Sequence, residues 1–373
     1  MVDRQRLTDE FISLVKIDSL SKQERKMADA LLRKLKDMGL EPYEDNTGSK
    51  IGGNAGNVIC HIKGEKAEPA LLLMAHMDTV VPGLSKNPII DGDIIKTDGK
   101  TVLGGDDAAG VVVILETIKS LMEDKTPFGD IYIAFTVAEE GGLFGAANLD
   151  LSKIPADYAI ILDEGGEIGT VAVKAPYYNR FAVKFIGRAA HAGLEPEKGL
   201  SAIMLASKAI ADMPHFGRID EESTSNIGTI QGGQVRNIVC ETCSIEGEVR
   251  SISEEKIDRY TKEILDHFKE TTEKLGGTVE IELEKMYPGF NIKETDDIIN
   301  LLKKASTMSN IPLKFHATGG GSDTNIINGA GIPAVNTSVG MANVHSTTEY
   351  IRISDMEKAC HFLTAIIKAA YLG

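Results

Sequence analysis

Cysteine is scarce. The 373 residues carry only Cys60, Cys240, Cys243 and Cys360, too few and too scattered for a disulfide framework. Cys240-Glu241-Thr242-Cys243 has the spacing of a metal knuckle or redox pair, but no second pair accompanies it. The alternation from Val239 to Val249 reads as a strand that turns the two thiols to opposite faces, so a structural role is expected. Positive charge is also in deficit: 40 lysines and arginines face 55 acidic residues, a formal net charge of −15. That balance argues against a nucleic-acid or anionic-membrane partner, since either would demand a basic face. No apolar run is long enough to span a bilayer, and Met1 to Arg6 lead into an amphipathic pattern without a signal-like apolar core. A cytoplasmic protein is expected. Internal repeats and low-complexity linkers are missing too.

What is present is enough apolar sequence, 42%, to fill two cores, and at this length two domains are the natural expectation. Leu7, Phe11, Leu14 and Val15 recur at helical spacing, and Ser21-x-x-Glu24 reads as a capping box opening a second helix. Leu71 to Ala75, Ile131 to Val137 and Tyr158 to Leu162 are uniformly apolar, as buried strands of a mostly parallel sheet are. Between about Tyr177 and Pro288 the strands alternate instead (Phe181, Val183, Phe185; Ile245, Gly247, Val249), which predicts an antiparallel sheet covered on one face by helices. The last part, from residue 289, brings a helix after Thr295, the strand Ala334 to Val339, and a helix behind a second capping box, Ser354-x-x-Glu357. The chain thus reads as an α/β protein with three segments: 1–176, an inserted α+β domain at 177–288, and 289–373.

Each apolar strand ends in chemistry. His76-Met77-Asp78 follows the first, Glu139-Glu140 the second and Asp163 the third; Asp106-Asp107 open a buried helix and His345 follows the last strand. Strand ends are where sites form in α/β sheets. So many carboxylates at one sheet edge would repel unless cations held them, and two imidazoles with carboxylates suit zinc, or cobalt or manganese. An acidic doublet such as Glu139-Glu140 allows one carboxylate to take a metal while its neighbour acts as general base.

In this order, Ala75-His76-Met77-Asp78-Thr79-Val80, Gly105-Asp106-Asp107-Ala108-Ala109-Gly110, Ala138-Glu139-Glu140-Gly141, Leu162-Asp163 and Val344-His345 resemble the zinc exopeptidases of the peptidase T, carboxypeptidase G and aminoacylase superfamily, most nearly its peptidase T-like branch. The resemblance implies a mixed, mostly parallel sheet flanked by helices, interrupted by a lid or dimerisation domain. It implies two zinc ions per subunit: His76 and Asp163 on one, Glu140 and His345 on the other, Asp106 bridging, with a cis peptide bond after Asp106. Glu139 would be the base, Asp78 the partner of His76, and His191 a lid residue that stabilises the oxyanion. Asn237, Arg250 and Gly320 would contact the substrate, and two subunits would pair through the lid.

The implied activity is hydrolysis of an amide bond in a small peptide, with N-acyl or N-carbamoyl amino acids as the alternative substrates. One departure bears on selectivity: where peptidase T has an arginine before Gly-Gly-Thr-Asp, this chain has Gly319 before Gly320-Gly321-Ser322-Asp323. A cation that would help anchor a substrate carboxylate is missing there. The glycine run lacks the Lys-Ser or Lys-Thr of a P-loop, and no Arg or Lys cluster near the motifs suits phosphate-ester hydrolysis. A non-catalytic binding protein would have lost its base, whereas Glu139 is present.

Overall fold

A computed structural model describes residues 1–372. The chain forms two units: Met1–Lys174 with Ile292–Thr318 and Ser322–Gly373, and Ala175–Asn291 with Gly319–Gly321.

In the first unit the strand Lys66–His76 lies between Gly129–Thr136 and Tyr158–Gly165 and runs parallel to both. Ala334–Met341, from the far end of the sequence, continues the parallel order beside Tyr158–Gly165. Antiparallel strands, Val58–Ile62 on one flank and Thr170–Ala175 on the other, make the sheet mixed. Period-two alternation explains why the central strand is apolar at every position from Ala70 to Ala75. Leu71, Leu73 and Ala75 enter one core with the helices Arg4–Val15, Gly105–Glu123 and Ile353–Leu372, while Ala70, Leu72 and Met74 enter another on the opposite face. Burying one leucine fully stabilises by about 1.5–3 kcal/mol, so neither face tolerates a polar residue here. Between Pro82 and Lys100 the chain forms a hairpin, Ile89–Asp91 and Ile94–Lys96, joined by Tyr350–Arg352.

The second unit is an antiparallel sheet in the order Gly217–Asp220, Ser223–Gly232, Thr242–Ser251, Tyr177–Ile186, Thr278–Tyr287. Its inward residues Phe181, Val183, Phe185, Ile245 and Val249 pack on Leu205, Ile257, Ile264 and Phe268 of the helices Ala202–Ala211 and Glu254–Lys274. Gly247 is required: a Cβ there would lie 2.4 Å from Cζ of Phe181. The four cysteines are free, and Cys240 lies just before the strand that holds Cys243.

Besides its continuous stretch, the second unit takes in Gly319–Gly321. The reason is steric and polar: Gly321 lies under the Tyr287 ring, where a Cβ would be 2.2 Å from Cζ, and the Gly319 carbonyl accepts from Arg250 Nη1 at 3.3 Å. Neither capping box forms. Ser21 donates to the Asp78 carboxylate at 2.5 Å and Glu24 is the N-cap of Arg25–Asp37 without a side-chain cap bond. Ser354 donates to Asp93 at 2.6 Å, inside a helix that already begins at Ile353.

Candidate metal centre

The ends of Lys66–His76, Gly129–Thr136 and Tyr158–Gly165, the start of Gly105–Glu123 and the loop after Ala334–Met341 bring polar side chains to one place in the first unit. Asp106 is its pivot. One carboxylate oxygen, Oδ1, lies 2.9 Å from His76 Nε2 and the other, Oδ2, lies 3.2 Å from His345 Nε2. Asp163 Oδ1 is 3.6 Å from His76 Nε2, and Glu140 Oε1 is 2.8 Å from His345 Nε2. Candidate ligand atoms of His76, Asp106 and Glu140 lie within 4.8 Å of one another, as do those of His76, Asp107 and Asp163. Asp107 is a weaker donor than this proximity suggests, because its oxygens already accept the N–H groups of His76 at 3.1 Å and Gly110 at 2.9 Å. The Asp106–Asp107 peptide bond is cis.

His76 is oriented from behind. Its Nδ1–H donates to the Asp78 backbone carbonyl at 2.9 Å, which leaves Nε2 of a neutral imidazole with its lone pair toward Asp106 and Asp163. The Asp78 carboxylate stands 3.5 Å from the same Nδ1, so its partnership with the ring is secondary. The same carboxylate also holds the acidic doublet: Oδ1 accepts the N–H of Glu139 at 2.9 Å and Oδ2 that of Glu140 at 3.2 Å. The two residues before the doublet are held in the same way. Asn57 Oδ1 accepts the N–H of Val137 at 3.1 Å, and Glu24 Oε1 that of Ala138 at 3.0 Å. Ala138 has φ +51, a conformation a β-carbon disfavours, and these bonds keep it there. Asp163 is bracketed by the Asn336 amide, which accepts from its N–H at 2.9 Å and donates to its carbonyl at 3.0 Å.

Electrostatics show what the cluster lacks. Burial and the charge of Asp106 push Asp163 up to about 8. Burial works against a charged His76, yet its bonds to Asp106, Asp163 and Asp78 outweigh that and hold it well above the usual imidazole range. Bonds to Asp106 and Glu140 raise His345 to about 10. Carboxylates that retain protons and imidazoles that gain them mark a place short of positive charge. Divalent cations fit it: three carboxylates and two neutral imidazoles offer oxygen and nitrogen donors of the type zinc takes, and Asp106 offers one oxygen to each side. Glu139 is buried, and burial together with Asp163, Asp323 and Glu140 holds its carboxyl well above the usual range, only partly offset by His76. Such a shift moves a carboxylate toward a useful general base.

Sequence reasoning missed Ser21, Glu24, Asn57, Asn336 and Glu349. Two of these stood inside a pattern already assigned to helix capping.

The other expected site residues belong to the second unit. His191 is exposed and forms a bridge with Ile238, and Asn237 is its neighbour, its carbonyl accepting from the N–H of Ala192 at 3.0 Å. Arg250 is half-buried, 4.3 Å over the Tyr178 ring, with Nε and Nη2 each 3.2 Å from Glu248 and Nη1 3.2 Å from the Tyr287 hydroxyl. Gly320 sits in the turn that Arg250 and Tyr287 hold at either side.

Residues 72–369 match the family model described as Peptidase family M20/M25/M40. An uncharacterised protein of Bacillus subtilis, YqjE, is 43% identical over 99% of this chain and 100% of its own length. The crystal structure of the aminopeptidase PepT from Bacillus cereus is 40% identical, with a TM-score of 0.92 over 99% of each chain. That of a tripeptidase from Staphylococcus aureus is 36% identical, with a TM-score of 0.95 over 100% of each chain. The match covers both the sheet that carries the acidic strand ends and the antiparallel insert, and the chain belongs to the M20/M25/M40 family of peptidases.

Proposed function

We propose that this chain is a metal-dependent exopeptidase acting on small peptides, with two zinc ions per subunit, cobalt or manganese being able to replace them. His76 and Asp163 hold one ion, Glu140 and His345 the other, and Asp106 spans both. The observation that carries the reading is the pair of Asp106 oxygens, 2.9 Å from one imidazole and 3.2 Å from the other. When bound, the cations supply Lewis acidity, lowering the pKa of water and polarising the attacked carbonyl.

The side chains do the rest. Glu139 takes the proton of the attacking water and passes it to the leaving amine, the double use that a carboxylate with a raised pKa permits. Asp78 keeps Glu139 and Glu140 at fixed spacing through their backbone. His191 donates to the developing oxyanion, and Asn237, Arg250 and Gly320 hold the backbone and terminal carboxylate of the peptide. The aminopeptidase and tripeptidase descriptions of the relatives support release from the amino terminus of di- or tripeptides. Pairing of two subunits through residues 177–288 and a cytoplasmic location belong to the same reading. Among the described residues no helix is long and apolar enough to cross a membrane.

The test combines metal analysis of the purified protein with a panel of dipeptides, tripeptides, N-acetyl and N-carbamoyl amino acids. Two equivalents of zinc and cleavage of the peptides are expected. Action on the acylated amino acids alone would replace the peptidase by a deacylase using the same residues.

A further inference from the structure

Glu349 is 2% exposed and stands four residues after His345 on the same loop. Its carboxylate accepts three backbone N–H groups: Leu103 at 2.6 Å and Gly104 at 2.9 Å on Oε2, and Asp106 at 3.0 Å on Oε1. Among the described residues no lysine, arginine or histidine makes an ion pair with it, although the buried Lys86 feels its charge. A buried carboxylate is costly, and this set of N–H groups offsets much of the cost. They need an acceptor. Leu103 and Gly104 precede the helix Gly105–Glu123 and Asp106 lies in its first turn, where backbone N–H groups have no partner within a helix. An acid at a helix start is also favoured by the helix dipole.

We infer that Glu349 is a positioning residue for the metal centre: it fastens the turn of Asp106 to the loop of His345. Asp106 is then tied to that loop twice, by its backbone through Glu349 and by its side chain, whose Oδ2 faces His345 Nε2 at 3.2 Å. The bridging carboxylate and the second imidazole meet the cations as one piece. The inference rests on the reading that Asp106 and His345 are ligands. It also specifies chemistry. Three donors arriving at two oxygens require a carboxylate, because an amide of the same shape presents one oxygen and turns an N–H₂ toward N–H groups on the other side.

The experiment strips the full chain of metal with a chelator and titrates zinc back against a chromogenic competitor, with the cobalt absorption spectrum as a second readout. Wild type is compared with Glu349→Gln, Gly105→Ala and Asp106→Asn. Glu349→Gln preserves volume, so a packing role alone would leave zinc affinity untouched. The expected result is about a ten- to hundredfold loss of affinity and a changed cobalt spectrum, as for other groups that orient ligands. Gly105→Ala adds a Cβ 3.1 Å from Glu349 Oε1 and should shift affinity in the same direction by less. Unchanged zinc affinity and cobalt spectrum in Glu349→Gln overturn the inference, whatever happens to its melting temperature. If that variant does not fold, unchanged affinity in Gly105→Ala overturns it. Asp106→Asn separates the two levels: if it binds zinc like wild type, the metal-centre reading has failed, whereas its loss beside an unaffected Glu349→Gln sinks only the role of Glu349.

Discussion

His76 is 3% exposed at the end of a strand buried on both faces, whereas the side chain of His345 is 52% exposed on a loop with φ +60. The first imidazole is placed by the sheet and by the Asp78 carbonyl, the second by a loop that depends on Glu140, Asp106 and Glu349 for its position. The difference teaches that the two imidazoles of the proposed centre are placed by different means, one by a buried strand and the other by contacts made from a loop.

The largest effect should come from the proposed base. Glu139→Ala is expected to retain its metals while kcat falls by about 10²–10⁴, the usual reach of a general base. Metal analysis beside steady-state kinetics checks this, and normal turnover would remove Glu139 from the mechanism. Next is the asymmetry itself. His76→Ala should empty its position after dialysis, while His345→Ala, open to replacement by water, should weaken metal binding less; the reverse order would break the comparison. Ser21→Ala tests the support beneath the buried half. Losing a hydroxyl bond to a carboxylate costs about 1.5–3 kcal/mol, read as a lower urea midpoint with metal content unchanged.

The smallest effect is in pH. Burial and the charge of Asp78 raise Glu24 to about 7 from an ordinary value of 4.5. The folded chain therefore holds this proton more tightly than the unfolded one. Its contribution is fully present below 4.5 and is lost as pH rises through about 7. Glu24→Gln cannot ionise, so its stability relative to wild type should improve between those values. Urea midpoints across that range decide it, and parallel curves would show that Glu24 titrates normally.

The parallel sheet was legible because Leu71 to Ala75 and Ile131 to Phe135 are apolar at every position, a pattern that burial on two faces explains. His76, Glu140 and Asp163 stood out as candidates because each comes at or just after the end of such a run. The layer behind them was not. Ser21-x-x-Glu24 obeys the local grammar of a helix cap, yet Ser21 turns to Asp78, 57 residues away, and Glu24 takes the N–H of Ala138, 114 residues away, beside the nearby N–H of Lys22. Ser354 likewise turns to Asp93, 261 residues distant. Short-range pattern cannot rank a nearby N–H against a remote one, and burial decided for the remote partner. Glu349 had no pattern at all, only its place in the loop of His345.

The strand Ala334–Met341 lies between Tyr158–Gly165 and Thr170–Ala175, so the sheet of the first unit has a gap until the strand that follows the whole insert has been made. The insert, almost continuous in sequence, can fold while that gap is still open. His345 and Glu349 follow that strand on the next loop. Until it has been made, a nascent chain holds only part of the proposed ligand set.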